Sequence, residues 1–325
     1  MRHLVGPITA AFSLLFSAFP ALAQEMRSYT DAIGRTVEIP VDPQRIVALA
    51  DHVIALPLVE LDANLTGSYG RIDADGNPFF RSLRDVFPIW LAQNDLAFLG
   101  TYGTPDFEAM AALQPDLIIG GTWASEQLDQ LELIAPVIFL PHGEVEPLEY
   151  YRRLADVAGR LELFETMRAR YEDQIAQARD WLGDHDYTYQ LPQFEPGDAI
   201  LYVCGQYGGL SRVLDDLGFT MIGISAEVRE TDEFCSEIST ERLQEVDADF
   251  LFDTYRLSVP GKIDQQAEIN NILPGGCDIL SACRAGRMAV LPRAFAFPTT
   301  FTTMDMMIHD VVSHVVGRPG IAMPE

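Results

Sequence analysis

Lysine is almost missing from this chain: Lys262 is the only one in 325 residues. Lys and Arg together number 22 against 48 Asp and Glu, which leaves a formal charge of −26. So little positive charge excludes a protein that grips nucleic acid or lies on an anionic membrane, since both require a basic surface. Long apolar runs are missing after residue 23; none reaches the roughly 18 residues of a membrane span. The hydrolase, zinc-protease and nucleotide signatures GxSxG, HExxH and Walker A are all missing. Histidines are scattered along the chain, and His309 and His314 are five apart, off the four-residue spacing that suits a shared metal. In a chain this poor in cations, an arginine on a loop beside aromatics stands out as a candidate ligand contact.

What is present begins with a leader. Met1-Arg2-His3 is a short basic start, Leu4 to Pro20 is apolar, and Ala21-Leu22-Ala23 gives a small-x-small site before Gln24. This pattern predicts a cleaved signal peptide over residues 1–23 and a periplasmic mature protein. No cysteine follows the cleavage site, so the expectation is a soluble protein and not a lipoprotein. The remaining length suits two domains of about 150 residues each.

Short apolar strands alternate with helices through the first half, at Arg45–Ala50, Leu65–Gly70, Leu96–Gly100, Asp116–Gly120 and Pro136–Leu140. That alternation predicts an α/β lobe with a mostly parallel sheet over residues 27–160. Phe164, Met167, Tyr171, Ile175, Ala178 and Leu182 then recur at three- and four-residue spacing, which predicts one long amphipathic helix over 161–183. Its mid-chain position suits a rigid connector. Pro192, Pro196 and Gly197 mark His185–Asp198 as a boundary loop, after which Ala199–Cys204 reads as the first strand of a second α/β lobe spanning 184–325. One unit occurs in each half. Glu108 opens an amphipathic helix before a strand at Leu117–Ile119, and Glu241 opens another before a strand at Phe250–Phe252. Two similar lobes imply a cleft between them.

Four cysteines in an exported chain favour disulfides over free buried thiols. Cys277 and Cys283 flank a short loop, while Cys204 and Cys235 belong to the same lobe. The expected bridges are Cys204–Cys235 and Cys277–Cys283.

An ordered series of phrases runs through the mature chain: Arg35–Pro40 with Pro43–Ala48, Glu108–Ile119, Leu210–Phe219, the Glu241 helix, and Gly286–Leu291. In this order the chain resembles the periplasmic substrate-binding proteins of ABC importers for ferric siderophores, cobalamin and haem. The resemblance implies two Rossmann-like lobes joined by the long helix, no enzymatic activity, and a ligand held between the lobes with modest closure. It implies a monomer with no cofactor of its own, binding iron(III) only through a siderophore and delivering it to an ABC permease dimer with its ATPase. It also implies that Glu108 and Glu241 dock onto the permease. Haem or cobalamin remain alternatives within the family, and an exported hydrolase using the same cleft is the rival from another class. Ligands of open parallel sheets sit beyond the strands' carboxyl ends. Those ends carry Tyr69, Arg71, Tyr102, Trp123, Tyr207, Tyr255, Arg256 and Arg293. Arg212 and Arg256 fall where such binders place ligand-facing arginines. Two departures count against a tris-catecholate: Trp123 stands where ferric-catecholate members have a third arginine, and Phe234 where some offer a histidine.

Overall fold

The computed structural model describes residues 24–194, 200–231, 233–255, 269 and 274–317. The leader, Arg256 and Lys262 lie outside the described residues. Two α/β lobes flank a long helix, Leu161–Leu182. The first lobe is built on a five-stranded parallel sheet. Its order is Val137–Leu140, Leu117–Gly121, Ile46–Ala48, Leu65–Ser68 and Ala97–Phe98. The three strands on the Val137 side are buried along their whole length, as continuous apolar runs covered on both faces must be.

The second lobe departs from the expected layout. His185–Asp198 is not a boundary loop throughout: Thr188–Gln190 is an inner strand of a parallel sheet. That sheet runs Thr220–Met221, Thr188–Gln190, Phe250–Tyr255, Met288–Pro292. Tyr189 is fully buried there, and Thr188 is anchored by its N–H and hydroxyl on the Asp249 carboxylate at 2.9 and 2.7 Å. The prolines misled because Pro192 opens a different strand. Pro192–Phe194 is the edge of a three-stranded antiparallel sheet with Leu201–Cys204 and Cys235–Ile238, where a missing N–H is tolerated. The strand ending at Cys204 therefore belongs to this antiparallel sheet.

The two glutamate units also differ. Phe107–Ala112 is an α-helix whose Asp106 side chain accepts the Ala109 N–H at 2.8 Å. Thr240–Val246 is a 3₁₀ helix, not an α-helix. Its buried residues, Leu243 and Val246, are three apart, the spacing that one face of a 3₁₀ helix presents.

The long helix buries Phe164, Tyr171, Ile175, Ala178 and Leu182, so its periodic apolar stripe is its packed face. Phe164 packs at 5.2 Å from Tyr151 of the first lobe and 5.3 Å from Phe301 of the closing helix, Phe301–Val316. One apolar core runs through both lobes along this seam. A polar contact reinforces it. Glu60, buried in the first lobe, accepts the Phe301 and Thr302 N–H groups at 2.8 and 2.6 Å and the Tyr151 hydroxyl at 2.5 Å. A carboxylate at a helix N-terminus satisfies orphan donors and meets the positive end of the helix dipole. Glu60 thereby pins the second lobe's last helix to the first lobe.

Candidate functional site

The strand Ile46–Ala48 leads into a single π-helical turn, Asp51–Ala55, which carries Asp51 and His52 to the cleft. Asp51 is only 4% exposed. Its carboxylate accepts the backbone N–H of Arg81 at 2.5 Å, contacts His52 Nδ1 at 3.1 Å, and faces Arg71 Nε at 3.9 Å. Burial by itself would raise the Asp51 pKa, but the His52 contact, the Arg81 N–H and the Arg71 charge outweigh it and hold it below the usual range. His52 is pushed below its ordinary 6.5, first by burial and then by the Arg81 and Arg71 charges, against the pull of Asp51. Its imidazole is neutral at neutral pH.

Three arginines meet here from both lobes. Arg81 loses basicity first to burial, then to the charges of Arg71 and Arg293, with Asp51 opposing. The Arg81 guanidinium lies 5.9 Å from the ring centre of Phe297, a residue of the second lobe. Phe297 also meets His52 at 6.0 Å, Tyr207 at 5.5 Å and Phe234 at 5.5 Å. Arg293 donates through Nε to Thr254 Oγ1 at 3.2 Å, and that hydroxyl shares a 2.8 Å hydrogen bond with Tyr207. Gly208 makes this packing possible. Its φ is +48°, and a Cβ there would fall 1.8 Å from the Phe297 carbonyl oxygen. On the first-lobe side an aromatic row extends the wall. Trp123 meets His142 edge-on at 5.5 Å, His142 meets Tyr150 at 4.9 Å, and the Tyr102 hydroxyl donates to the Trp123 carbonyl at 2.7 Å.

The structure thus brings together Arg71, Arg293 and Tyr207, with Tyr102 and Trp123 on the first-lobe wall. It adds Arg81, Asp51, His52 and Phe297. Arg81 was missed, although it follows Phe79-Phe80 and so met the criterion of an arginine beside aromatics. Two of the expected ligand contacts sit away from this cluster. Tyr69 is 2% exposed inside the first lobe's core, and its hydroxyl donates to Gln127 at 2.8 Å, so it supports the wall from behind. Arg212 does not join the cluster. It pairs with Asp216 at 2.6 Å and with Glu146 of the first lobe, beside Tyr171 of the long helix, and it ties the lobes together. Tyr255 is half-buried at the end of its strand, while Arg256 lies outside the described residues.

Glu108 and Glu241 are exposed, each in the first turn of its helix. The cysteines pair as Cys204–Cys235 and Cys277–Cys283. Cys204 and Cys235 sit opposite each other on paired strands, and Phe234 next to them packs 5.6 Å from Tyr207. Among the described residues, no three His, Cys, Asp or Glu side chains gather as a metal site, and no helix is long and apolar enough to cross a membrane.

Residues 88–272 match the family model described as periplasmic binding protein, and the chain belongs to that family. Among curated relatives, it is 26% identical to the probable siderophore-binding lipoprotein YfiY of Bacillus subtilis, over 71% of this chain and 69% of the relative. It is 27% identical to the ferric enterobactin-binding periplasmic protein FepB of Escherichia coli O6:H1, over 66% of this chain and 68% of the relative. The fold matches that of Staphylococcus aureus SirA, solved with staphyloferrin B, with a TM-score of 0.70 at 18% identity, covering 90% of this chain and 99% of SirA.

Proposed function

We propose that this protein captures an anionic ferric siderophore between its lobes in the periplasm and delivers it to an ABC permease. The observation that carries this reading is the arginine cluster. Arg81 of one lobe lies over Phe297 of the other, Arg71 faces the Asp51 that holds the Arg81 N–H, and Arg293 donates to the Thr254 hydroxyl bonded to Tyr207, in a chain whose formal charge is −26. Guanidinium groups gathered in a cleft attract an anionic ligand. A guanidinium also supplies a planar fork of donors for carboxylate or catecholate oxygens. Phe297, Tyr207 and Trp123 offer flat apolar faces to the organic part of the chelate. The iron is cargo, enclosed by the siderophore, and the protein acts on it as a binding protein and not as an enzyme. The relatives named above, which include siderophore-binding proteins, support the same ligand class. Glu108 and Glu241, exposed on separate lobes, are the proposed contacts with the permease, and the free protein is proposed to be a monomer.

The test is a titration of the purified mature protein, followed by tryptophan fluorescence. The probes are a ferric tris-catecholate, ferric citrate, a ferric trihydroxamate, haem and cobalamin. Tightest binding to an anionic ferric chelate is expected. Preference for haem or cobalamin, or no binding to any ferric chelate, would overturn the assignment.

A further inference from the structure

Asp51 is a buried carboxylate set among cations. It lies 3.9 Å from Arg71 Nε and holds the Arg81 N–H at 2.5 Å. The turn it holds is strained, because the next residue, Ser82, is buried with φ at +60°, a region that L-residues other than Asn and Asp seldom occupy. Resting on the siderophore reading above, we propose that Asp51 determines which ligand charge the cleft accepts. Its carboxylate fixes Arg71 and the Arg81 turn in place and offsets part of their charge, so ferric chelates are sorted by net charge.

The physical argument is one of competition. An anionic chelate that reaches Arg71 and Arg81 also approaches Asp51, and in a partly desolvated cleft that repulsion grows with each negative charge on the chelate. A neutral chelate feels almost none of it. Asp51 therefore sets a cost that rises from trihydroxamate to tris-catecholate. A purely structural role, holding the Arg81 turn, would instead weaken every ligand alike when Asp51 is changed.

The two roles separate in Asp51→Asn, which keeps an oxygen to accept the Arg81 N–H and loses the charge. Dissociation constants for a ferric tris-catecholate, carrying three negative charges, and a neutral ferric trihydroxamate would be measured for wild type and variant. The ratio of affinities, trianion over neutral, is expected to rise about ten-fold or more in the variant. A ratio unchanged within two-fold, or lowered, overturns the proposal. Failure of the wild type to bind either chelate overturns the parent reading instead. Asp51→Ser, a smaller neutral acceptor, repeats the comparison, with circular-dichroism melts confirming that each variant is folded. The wild-type protein gives a readout that needs no variant. With gallium(III) in place of iron, carboxyl-carbon NMR should show the Asp51 titration moving to higher pH with the trianionic chelate and much less with the neutral one. Equal movement with both chelates would equally sink the idea.

Discussion

One arginine at the seam and an arginine cluster in the cleft link the lobes, and they are built on opposite principles. Along the seam, Arg212 has two carboxylates within reach, Asp216 on its own helix and Glu146 across the lobes. In the cleft, Arg71 and Arg81 share Asp51, and Arg293 adds a third positive charge from the other lobe. A cation supplied with carboxylates is a fastener and has little left to offer a ligand. Cations set beside one aromatic ring are what the proposed anion site requires. In so acidic a protein, arginines of both lobes set against one aromatic ring, Phe297, with Asp51 beside them, are themselves the structural signal. The comparison predicts that seam variants change stability and leave ligand preference alone, whereas cleft variants do the reverse.

The largest effect is expected at Glu60. Glu60→Ala strands two helix N–H groups and the Tyr151 hydroxyl in the core, and each unsatisfied group costs roughly 1–3 kcal/mol. A loss of about 3 kcal/mol or more in urea-unfolding stability is expected. A loss below 1 kcal/mol would show that the lobes are not pinned there. Of similar size, removing the Cys204–Cys235 bridge by a double Ser variant should cost about 2–4 kcal/mol. It should also loosen Phe234 beside Tyr207, so ligand affinity is expected to fall along with the melting temperature. Unchanged affinity would detach the bridge from the cleft.

Next in size, Arg81→Ala should weaken binding of an anionic ferric siderophore by about 2 kcal/mol, within the range for hydrogen bonds to charged groups. Arg293→Ala should act similarly. Arg212→Ala should change affinity by less than about 0.5 kcal/mol and stability by about 1 kcal/mol or less, because its partly exposed ion pairs are screened. If Arg212→Ala proves the more damaging to binding, the contrast between fastener and ligand arginine collapses.

How much of this was legible beforehand follows from what kind of signal each feature leaves. The long helix was readable because one face of it is apolar at fixed spacing, and the same residues, Phe164 to Leu182, are the buried ones. The first-lobe strands Ile46–Ala48, Leu117–Gly121 and Val137–Leu140 were readable as uninterrupted runs without polar side chains. Thr188–Gln190 was not, since it is three residues long, carries two polar side chains and ends two residues before Pro192, while its sheet partners are distant in sequence. Within the site, Arg71, Arg293 and Tyr207 could be reached from their positions at strand ends. Arg212 could not be sorted from them, because its role rests on Glu146, 66 residues away. The contact of Asp51 with Arg81 spans 30 residues and runs through a backbone N–H that no side-chain pattern reveals.

A smaller effect concerns the exposed glutamates. Glu108→Ala and Glu241→Ala should leave siderophore affinity within about 0.5 kcal/mol, as exposed positions away from a site usually do. They should nevertheless reduce permease-stimulated ATP hydrolysis, the double variant more than either single one. Normal stimulation by the double variant would remove both residues from the docking surface.

A last expected effect is on pH dependence, and it qualifies the contrast, because one cleft residue contributes to stability through its proton. His52 is held neutral in the folded protein, foremost by burial and then by the neighbouring Arg81 and Arg71 charges. The unfolded chain takes up that proton near pH 6.5, before the folded chain does. Stability is therefore complete above pH 6.5 and declines as the pH falls below it, levelling off once folded His52 is protonated as well. A single proton limits this slope to about 1.4 kcal/mol per pH unit. His142 is exposed at the surface, yet its ring meets Trp123 and Tyr150; it is lowered to about 4 by burial and then by His52, and it adds to the decline in the same direction. Urea unfolding at stepped pH between 7.5 and 5 would measure the slope. His52→Gln should flatten it, and an anionic ferric siderophore should flatten it less, because ligand charge beside His52 favours its protonated form. A slope that His52→Gln leaves unchanged would mean that the acid sensitivity arises elsewhere in the molecule.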